Sequence, residues 1–264
     1  MDLELDGKVA LVTGGSQGIG KAIAKELARE GADIVICARR QDVLQEAARK
    51  LESETGRRIV PVPADTTDVD SVERMVEAAN RALGGIDILV NNAAAPGGLV
   101  RGPLAGADEK ALLEDVNTKV VGYFRCAKAL APHMERRGWG RIINIGGLSA
   151  RQAGDISGLR NAAIVHLTKT LSIQLGPSGI TVNLVHPGYT RTEKSGPDHE
   201  ELARQQSVTV EDIERSIARN TSIGRIVDAQ EIGYVVAFLA SPKAAPITGE
   251  VIAAGGGSGQ AVFQ

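Results

Sequence analysis

The sequence predicts an α/β fold: a three-layer, doubly wound sheet of about seven mostly parallel strands with helices on both faces. Three observations carry this expectation. Strand-like runs alternate with helical patterns along nearly all of the 264 residues, and strands separated by helices need crossover connections and so pair in parallel. The strand-like runs are apolar-rich, as in a sheet covered on both faces. Apolar residues make up 43% of the chain but aromatics only 3%. The core is therefore built from Ala, Val, Ile and Leu, small enough for close helix–sheet contact.

The elements follow in order. Residues 8–13 form a short Val/Leu strand that runs through glycines into a helix over 19–30. A second strand covers 33–38, a helix 42–55 and a third strand 58–62. A helix over 69–83 opens at Asp68, a suitable N-cap. The fourth strand is 86–91, followed by a long helical pattern over 108–136 and a fifth strand over 141–145. Residues 157–175 read as a helix, 180–186 as a sixth strand, 229–239 as the last helix and 250–253 as the last strand. Residues 193–221 are irregular, polar and partly helical by composition: a substrate wall or a solvated insertion. The glycine-rich tail 255–264 is either loose or docked on a partner chain. No repeat, linker or composition shift divides the chain, so one domain is expected.

Charge and cysteine usage exclude some functions. A net charge of −2 gives no general attraction for nucleic acid or membrane. Cys37 and Cys126 make no disulfide framework, the start is acidic, and no apolar run reaches membrane-spanning length. A cytoplasmic protein is the expectation. No Cys/His cluster points to a metal.

The first strand runs into Thr13-Gly14-Gly15-Ser16-Gln17-Gly18-Ile19-Gly20. Placed between a strand and a helix, such a segment suits a dinucleotide pyrophosphate. Gly14 permits the sharp turn, Gly18 lets backbone approach the phosphates, and Gly20 lets the helix pack on the sheet. The helix N-terminus offers free N–H groups. A glycine turn without a ligand is the competing reading. The second strand ends at Cys37-Ala38-Arg39-Arg40. Ala38 removes the acid that would hold ribose hydroxyls, and Arg39 supplies a partner for a 2′-phosphate, favouring NADP(H) over NAD(H). A merely solvated Arg39–Arg40 pair is the alternative.

These residues resemble the short-chain dehydrogenase/reductase family, over nearly the whole chain. Thr13–Gly20 matches T-G-x-x-x-G-x-G, Asn91-Asn92-Ala93-Ala94 is similar to N-N-A-G, and Pro187-Gly188 with Thr192 matches P-G-x-x-x-T. Ile247-Thr248-Gly249 before the last strand is also typical. The resemblance implies a Rossmann fold, a nicotinamide cofactor and a small-molecule substrate. It places Asp65 and Thr66 beside adenine, Asn92 and Ala93 beside the cofactor, and Pro187, Gly188, Thr190 and Thr192 along the nicotinamide side. Asn117 matches the family's helix asparagine and retains a helix-bend role. Relatives associate through two long helices, here 116–130 and 162–175, where Ala127, Ala129, Ala162 and Ala163 permit packing. A homodimer or homotetramer is expected, with a non-catalytic partner to an active homologue as the alternative.

The family's catalytic serine and Y-x-x-x-K set is missing. Counting back from Leu167-Thr168-Lys169 puts the tyrosine position on Ser157 and the lysine position on Asn161; the serine position falls on Gly147. No tyrosine lies between Tyr123 and Tyr189. A serine hydroxyl is a far weaker acid than a phenol, and Asn161 brings no charge to help it. General acid catalysis is worth roughly 10²–10⁴-fold, so simple ketone–alcohol exchange is doubtful, and reduction of an imine or a conjugated C=C bond fits better. Ser149 is a stand-in for the missing serine, or a turn residue. Ser157 faces the cofactor or serves as an N-cap, the better fit. Asn161, four residues on, can hold a ribose hydroxyl. Asp155 and Arg160 meet a charged substrate or solvent, solvent being the better fit. His186, Tyr189 and Arg191 contact substrate or pack a turn, and His166 points away from the cofactor.

Overall fold

The structure, a computed structural model, describes residues 1–100, 102–152 and 154–259. Arg101, Ala153 and the tail after Gly259 lie outside the described residues.

Seven strands form one parallel sheet. They are β1 (Val9–Thr13), β2 (Asp33–Ala38), β3 (Ile59–Pro63), β4 (Ile88–Asn91), β5 (Gly140–Ile145), β6 (Ile180–Pro187) and, after two short strands introduced below, β9 (Val251–Ala254). Their spatial order is β3-β2-β1-β4-β5-β6-β9. Strand order reverses between β1 and β4, which opens a crevice at their carboxyl ends. Side chains of each strand alternate between two cores. Ala10, Val12, Ile34, Ile36 and Val90 face one cluster with α1 (Gly18–Arg29), α2 (Gln41–Thr55) and α9 (Ala229–Ala240). Leu11, Val35, Cys37 and Leu89 face the other, with α3 (Val69–Leu83) and α5 (Gly122–Arg137).

Helix boundaries follow local chemistry. Asp68 accepts from the Ser71 N–H at 3.1 Å and caps α3 as expected. Gly84 then ends the helix at φ +79°, where a Cβ would be strained. The long pattern over 108–136 is not one α-helix. It comprises α4 (Glu109–Val116), a wider π-type turn over Asn117–Val121, and α5. α6 is Gly158–Leu175. A buried chain of amides ties these parts together: Asn91 Nδ2 donates to Asn144 Oδ1 at 2.9 Å, and Asn144 Nδ2 donates to Thr168 Oγ1 at 3.0 Å.

Residues 193–221, polar and expected to be partly helical, fold into α7 (Ser195–Gln206) and α8 (Val210–Ala218), the latter opened by a Thr209–Asp212 capping box. Two-residue strands β7 (Thr190–Arg191) and β8 (Val227–Asp228) pair beneath them. Among the described residues no helix is long and apolar enough to cross a membrane.

Candidate functional site

The crevice between β1 and β4 is shaped by backbone contacts that need glycine. The Gly14 N–H donates to Cys37 O at 2.8 Å, fixing the turn to the end of β2. A Cβ on Gly20 would lie 2.3 Å from Gly14 O and 2.4 Å from Asn92 Nδ2, so only glycine fits. Asn92 N–H and Ala93 N–H both donate to Thr13 Oγ1, at 2.9 and 3.0 Å, and lock the β4 loop to β1. Ser16, Gln17, Gly18 and Ile19 form the half-buried lip at the start of α1.

One contact at this lip involves a negative charge. The Gly18 N–H donates to Glu193 Oε1 at 2.7 Å, 175 residues away in sequence. A carboxylate thus occupies the anion position of the α1 N-terminus, where the N–H groups and helix dipole favour negative charge. A Cβ on Gly18 would rest 3.8 Å from Thr192 Cγ2, so the segment after β6 lies directly over the lip. The residues present fit a dinucleotide pyrophosphate.

Arg39 and Arg40 are exposed at the end of β2. Arg40 Nη2 donates to Gln17 Oε1 at 3.0 Å, and Arg39 keeps its guanidinium in solvent close enough to act on Asp65. Burial raises the Asp65 carboxyl, but two Thr67 hydrogen bonds and the charges of Arg39 and Arg125 outweigh it and hold the pKa below the usual value. Thr66 is buried, against Gly122. Gly188 packs on Gly255, a Cβ there meeting Gly255 Cα at 2.9 Å, and Thr190 Oγ1 donates back to Gly188 O at 3.1 Å. Pro187 ends β6 in the buried sheet.

Beyond β5 the segment Gly146–Ala150 is half-exposed and lines the crevice. Asn161 Nδ2 donates to Ser149 Oγ at 2.8 Å, so two residues singled out from sequence meet there. Asn161 Oδ1 is buried without a partner among the described residues. Ser157 sits at the N-cap position of α6, yet its hydroxyl makes no cap. Its single proton lies between Asp115 Oδ2 (2.8 Å) and Val100 O (3.1 Å), and its oxygen accepts from Val100 N–H. The capping expectation is corrected: Asp115 on α4 accepts the hydroxyl proton and draws the side chain inward.

Arg160 is corrected too. Solvent exposure was the better fit, but only 4% of the residue is exposed. It pairs with Asp115 and donates to Ala95 O at 2.9 Å. Asp155 stays exposed and accepts from Ser157 N–H at 3.1 Å. His166 is exposed. His186 is fully buried and its Nδ1 accepts from Gly147 N–H at 2.8 Å, which places its proton on Nε2. Burial, then the charges of Arg151 and Lys119, pushes its pKa down to about 4.

Asn117 turns away from this cluster, its Oδ1 accepting from Arg125 Nη2 at 2.9 Å. The residue of the π-type turn that points in is Lys119, absent from the sequence reading. It is 3% exposed, and its Nζ donates to Gly146 O at 3.0 Å. Burial and the charge of Arg160 push its pKa down to about 7, against the opposing pull of Asp115. A signal was present: Asp115, Lys119, Tyr123, Cys126 and Leu130 recur at helical spacing, so the two charges share the apolar face.

The segment over the crevice is held by a second polar chain. Tyr189 Oη and His199 Nε2 lie 2.7 Å apart, His199 Nδ1 and Glu214 Oε1 3.2 Å. Arg191 then bridges Glu214 (3.0 Å) and Asp228 (3.6 Å). Tyr189 and Arg191 therefore brace α7 and α8.

Comparison with known proteins agrees with this architecture. A family model described as enoyl-(acyl carrier protein) reductase matches residues 14–258. A putative ketoacyl reductase of Streptomyces coelicolor is 35% identical over 260 residues, 96% of this chain and 98% of its own length. The crystal structure of L-sorbose reductase from Gluconobacter frateurii, complexed with NADPH and L-sorbose, superposes with a TM-score of 0.93 at 32% identity, over 99% of this chain and 100% of that one. A crystal structure of NAD+-bound xylitol dehydrogenase gives a TM-score of 0.86 at 27% identity, over 96% and 100% of the chains. The chain belongs to the short-chain dehydrogenase/reductase family.

Proposed function

We propose that this chain is an NADP(H)-linked oxidoreductase whose active site departs from the family's usual serine, tyrosine and lysine. The observation that carries the reading is the Glu193 carboxylate on the Gly18 N–H. It marks a working anion site at the start of α1, where a pyrophosphate would displace it. Arg39, exposed at the end of β2 without the acid that would hold ribose hydroxyls, favours the 2′-phosphate form. The NADPH complex of the sorbose reductase supports this, while the NAD+ complex of the xylitol dehydrogenase shows that both forms occur among similar structures. A bound nicotinamide dinucleotide would supply or accept hydride.

The chain's own residues do the rest. Pro187, Gly188 and Thr190 form the wall beside the reacting ring, and Asn161 with Ser149 presents amide and hydroxyl groups to ribose or substrate. Thr192 and Glu193, leading into α7, lie against the lip of the crevice. Ser157, spent on Asp115, is not a proton donor to substrate. The test is titration of the purified protein with NADPH and NADH by calorimetry. Tight NADPH binding, weakened about tenfold or more by Arg39→Ala with NADH unaffected, is the expected result. No binding of either form overturns the reading.

The engagement of the Ser157 hydroxyl also favours a second reading, a catalytically silent dinucleotide-binding homologue acting as sensor or partner subunit. NADPH binding without turnover on ketones, imines and enones, together with co-purification of an active relative, would establish it.

A further inference from the structure

The cluster at the end of β5 holds more unpaired polar capacity than a packed core tolerates. The side chains of Asn161 and His186 pack against Gly146–Gly147, and among the described residues the buried Asn161 Oδ1 and His186 Nε2 have no partner. A Cβ on Gly147 would come within 3.0 Å of Asn161 Nδ2, and one on Gly146 within 2.2 Å of His186 Nδ1, so these side chains crowd one short stretch of backbone. The Lys119 Nζ reaches the same stretch, and Gly146 O is its one hydrogen-bond acceptor among the described residues. An ammonium carries three donors, so two are free. Buried polar groups normally find partners; the free donors of Lys119 at Gly146, on a half-exposed stretch of backbone that Asn161 also touches, mark the place of a polar ligand atom.

We propose that Lys119 is the proton donor of this active site, delivering a proton from Nζ to the carbonyl oxygen or imine nitrogen of the substrate. This inference rests on the oxidoreductase reading above, with the reduced nicotinamide dinucleotide as reductant. Hydride adds to the substrate carbon, the C=O or C=N π bond breaks, and its electron pair settles on oxygen or nitrogen. The Lys119 N–H bond then breaks as the new O–H or N–H bond forms. The neutral amine regains its proton from water. Oxidation runs the same steps backwards, with the neutral amine as base.

The surroundings suit that task. From α4, Asp115 favours the ammonium; from α6, Arg160 opposes it; Tyr123 of α5 lies with its ring centre 5.9 Å from Nζ; and His186 of β6 is neutral at physiological pH. An amine with a pKa of about 7 is poised to give and take a proton near neutrality. It is a stronger acid than an ordinary phenol near 10. The chain thus carries its proton-transfer cation on the π-type turn between α4 and α5.

The experiment combines ¹³C,¹⁵N-lysine NMR titration of the cofactor-free protein with kinetics of wild type, Lys119→Met and Lys119→Arg. The Lys119 signal is assigned through its contacts with Tyr123. The expected result is a Lys119 midpoint near pH 7 and a wild-type reduction rate that falls above the same pH. Both variants lose about 100-fold or more in kcat, while NADPH affinity stays within about threefold. Arginine keeps the charge but cannot release a proton, so recovery of kcat by Lys119→Arg would show a structural cation and overturn the proposal. A Lys119 that stays protonated to pH 10 overturns it also, even if neither variant folds. Failure of wild type to bind NADPH sinks the oxidoreductase reading and this proposal together, whereas NADPH binding with full activity in Lys119→Met sinks this proposal alone.

Discussion

Asp115 and Arg160 are both almost fully buried, and they meet beneath the loop 95–100. Desolvating two charges is costly, so the pair contributes less to stability than its contact implies, yet removing one partner leaves the other stranded. Asp115→Ala is expected to destabilise the protein by about 3–5 kcal/mol, read by denaturant unfolding. It also frees Ser157. His186 gives a pH dependence of known sign. Its folded pKa of about 4 lies below the ordinary 6.5, so between these values the unfolded chain binds more protons. Stability is present above that window and falls as pH drops through it, which thermal melts from pH 7 to pH 4 will record. Lys119 obeys the same rule higher up: with a folded value near 7 against 10.5, stability climbs as pH rises between them, and Lys119→Met abolishes the climb.

At the scale of elements, the α1 N-terminus and the segment after β6 are coupled through Glu193. The carboxylate satisfies Gly18 N–H when no phosphate is there, and it draws α7, two residues further on, against the lip. Cofactor phosphates and Glu193 then compete for one donor. Glu193→Gln removes a charge worth about 0.3–1 kcal/mol at a helix N-terminus, so NADPH should bind about two- to fivefold more tightly, as calorimetry would show. Equal or weaker binding means the contact does not compete. The π-type turn is the other element with consequences. Such turns recur at functional sites because an extra residue rephases the side chains around it. Here Asn117 faces Arg125 and Lys119 faces β5.

For the whole molecule, the open question is assembly. Helices α4 to α6 leave apolar side chains in solvent: Leu113, Phe124, Leu159 and Ile173 are 70%, 45%, 44% and 67% exposed. On α6, Leu159, Ala162, His166 and Ile173 lie along one exposed face at helical spacing. We read this as the homo-oligomer contact expected from the family resemblance. Ala127 takes no part in it, being buried against its own sheet. Ile173→Glu should lower the assembled mass in light scattering without unfolding the chain; an unchanged mass would place the contact elsewhere.

The sequence alone determined the layered parallel sheet, the bounds of its seven strands to within two residues and the glycine lip. These depend on local patterns: apolar runs of strand length, helical periodicity, Asp68 as a cap, and glycines where a Cβ would clash. It also carries the expectation that the family's tyrosine and lysine positions fall on Ser157 and Asn161, because counting along the chain needs no geometry. Tertiary structure decided what surrounds these positions. Ser157 looked like a cap until Asp115, 42 residues earlier, claimed its proton. Arg160 looked exposed until the same carboxylate buried it. Lys119 was hidden inside a pattern read as one regular helix, and only the wider turn shows which way it points. Glu193 reaches Gly18 across most of the chain. Local pattern reflects neighbours in sequence, while the charge and burial of a side chain depend on partners that only folding brings within reach.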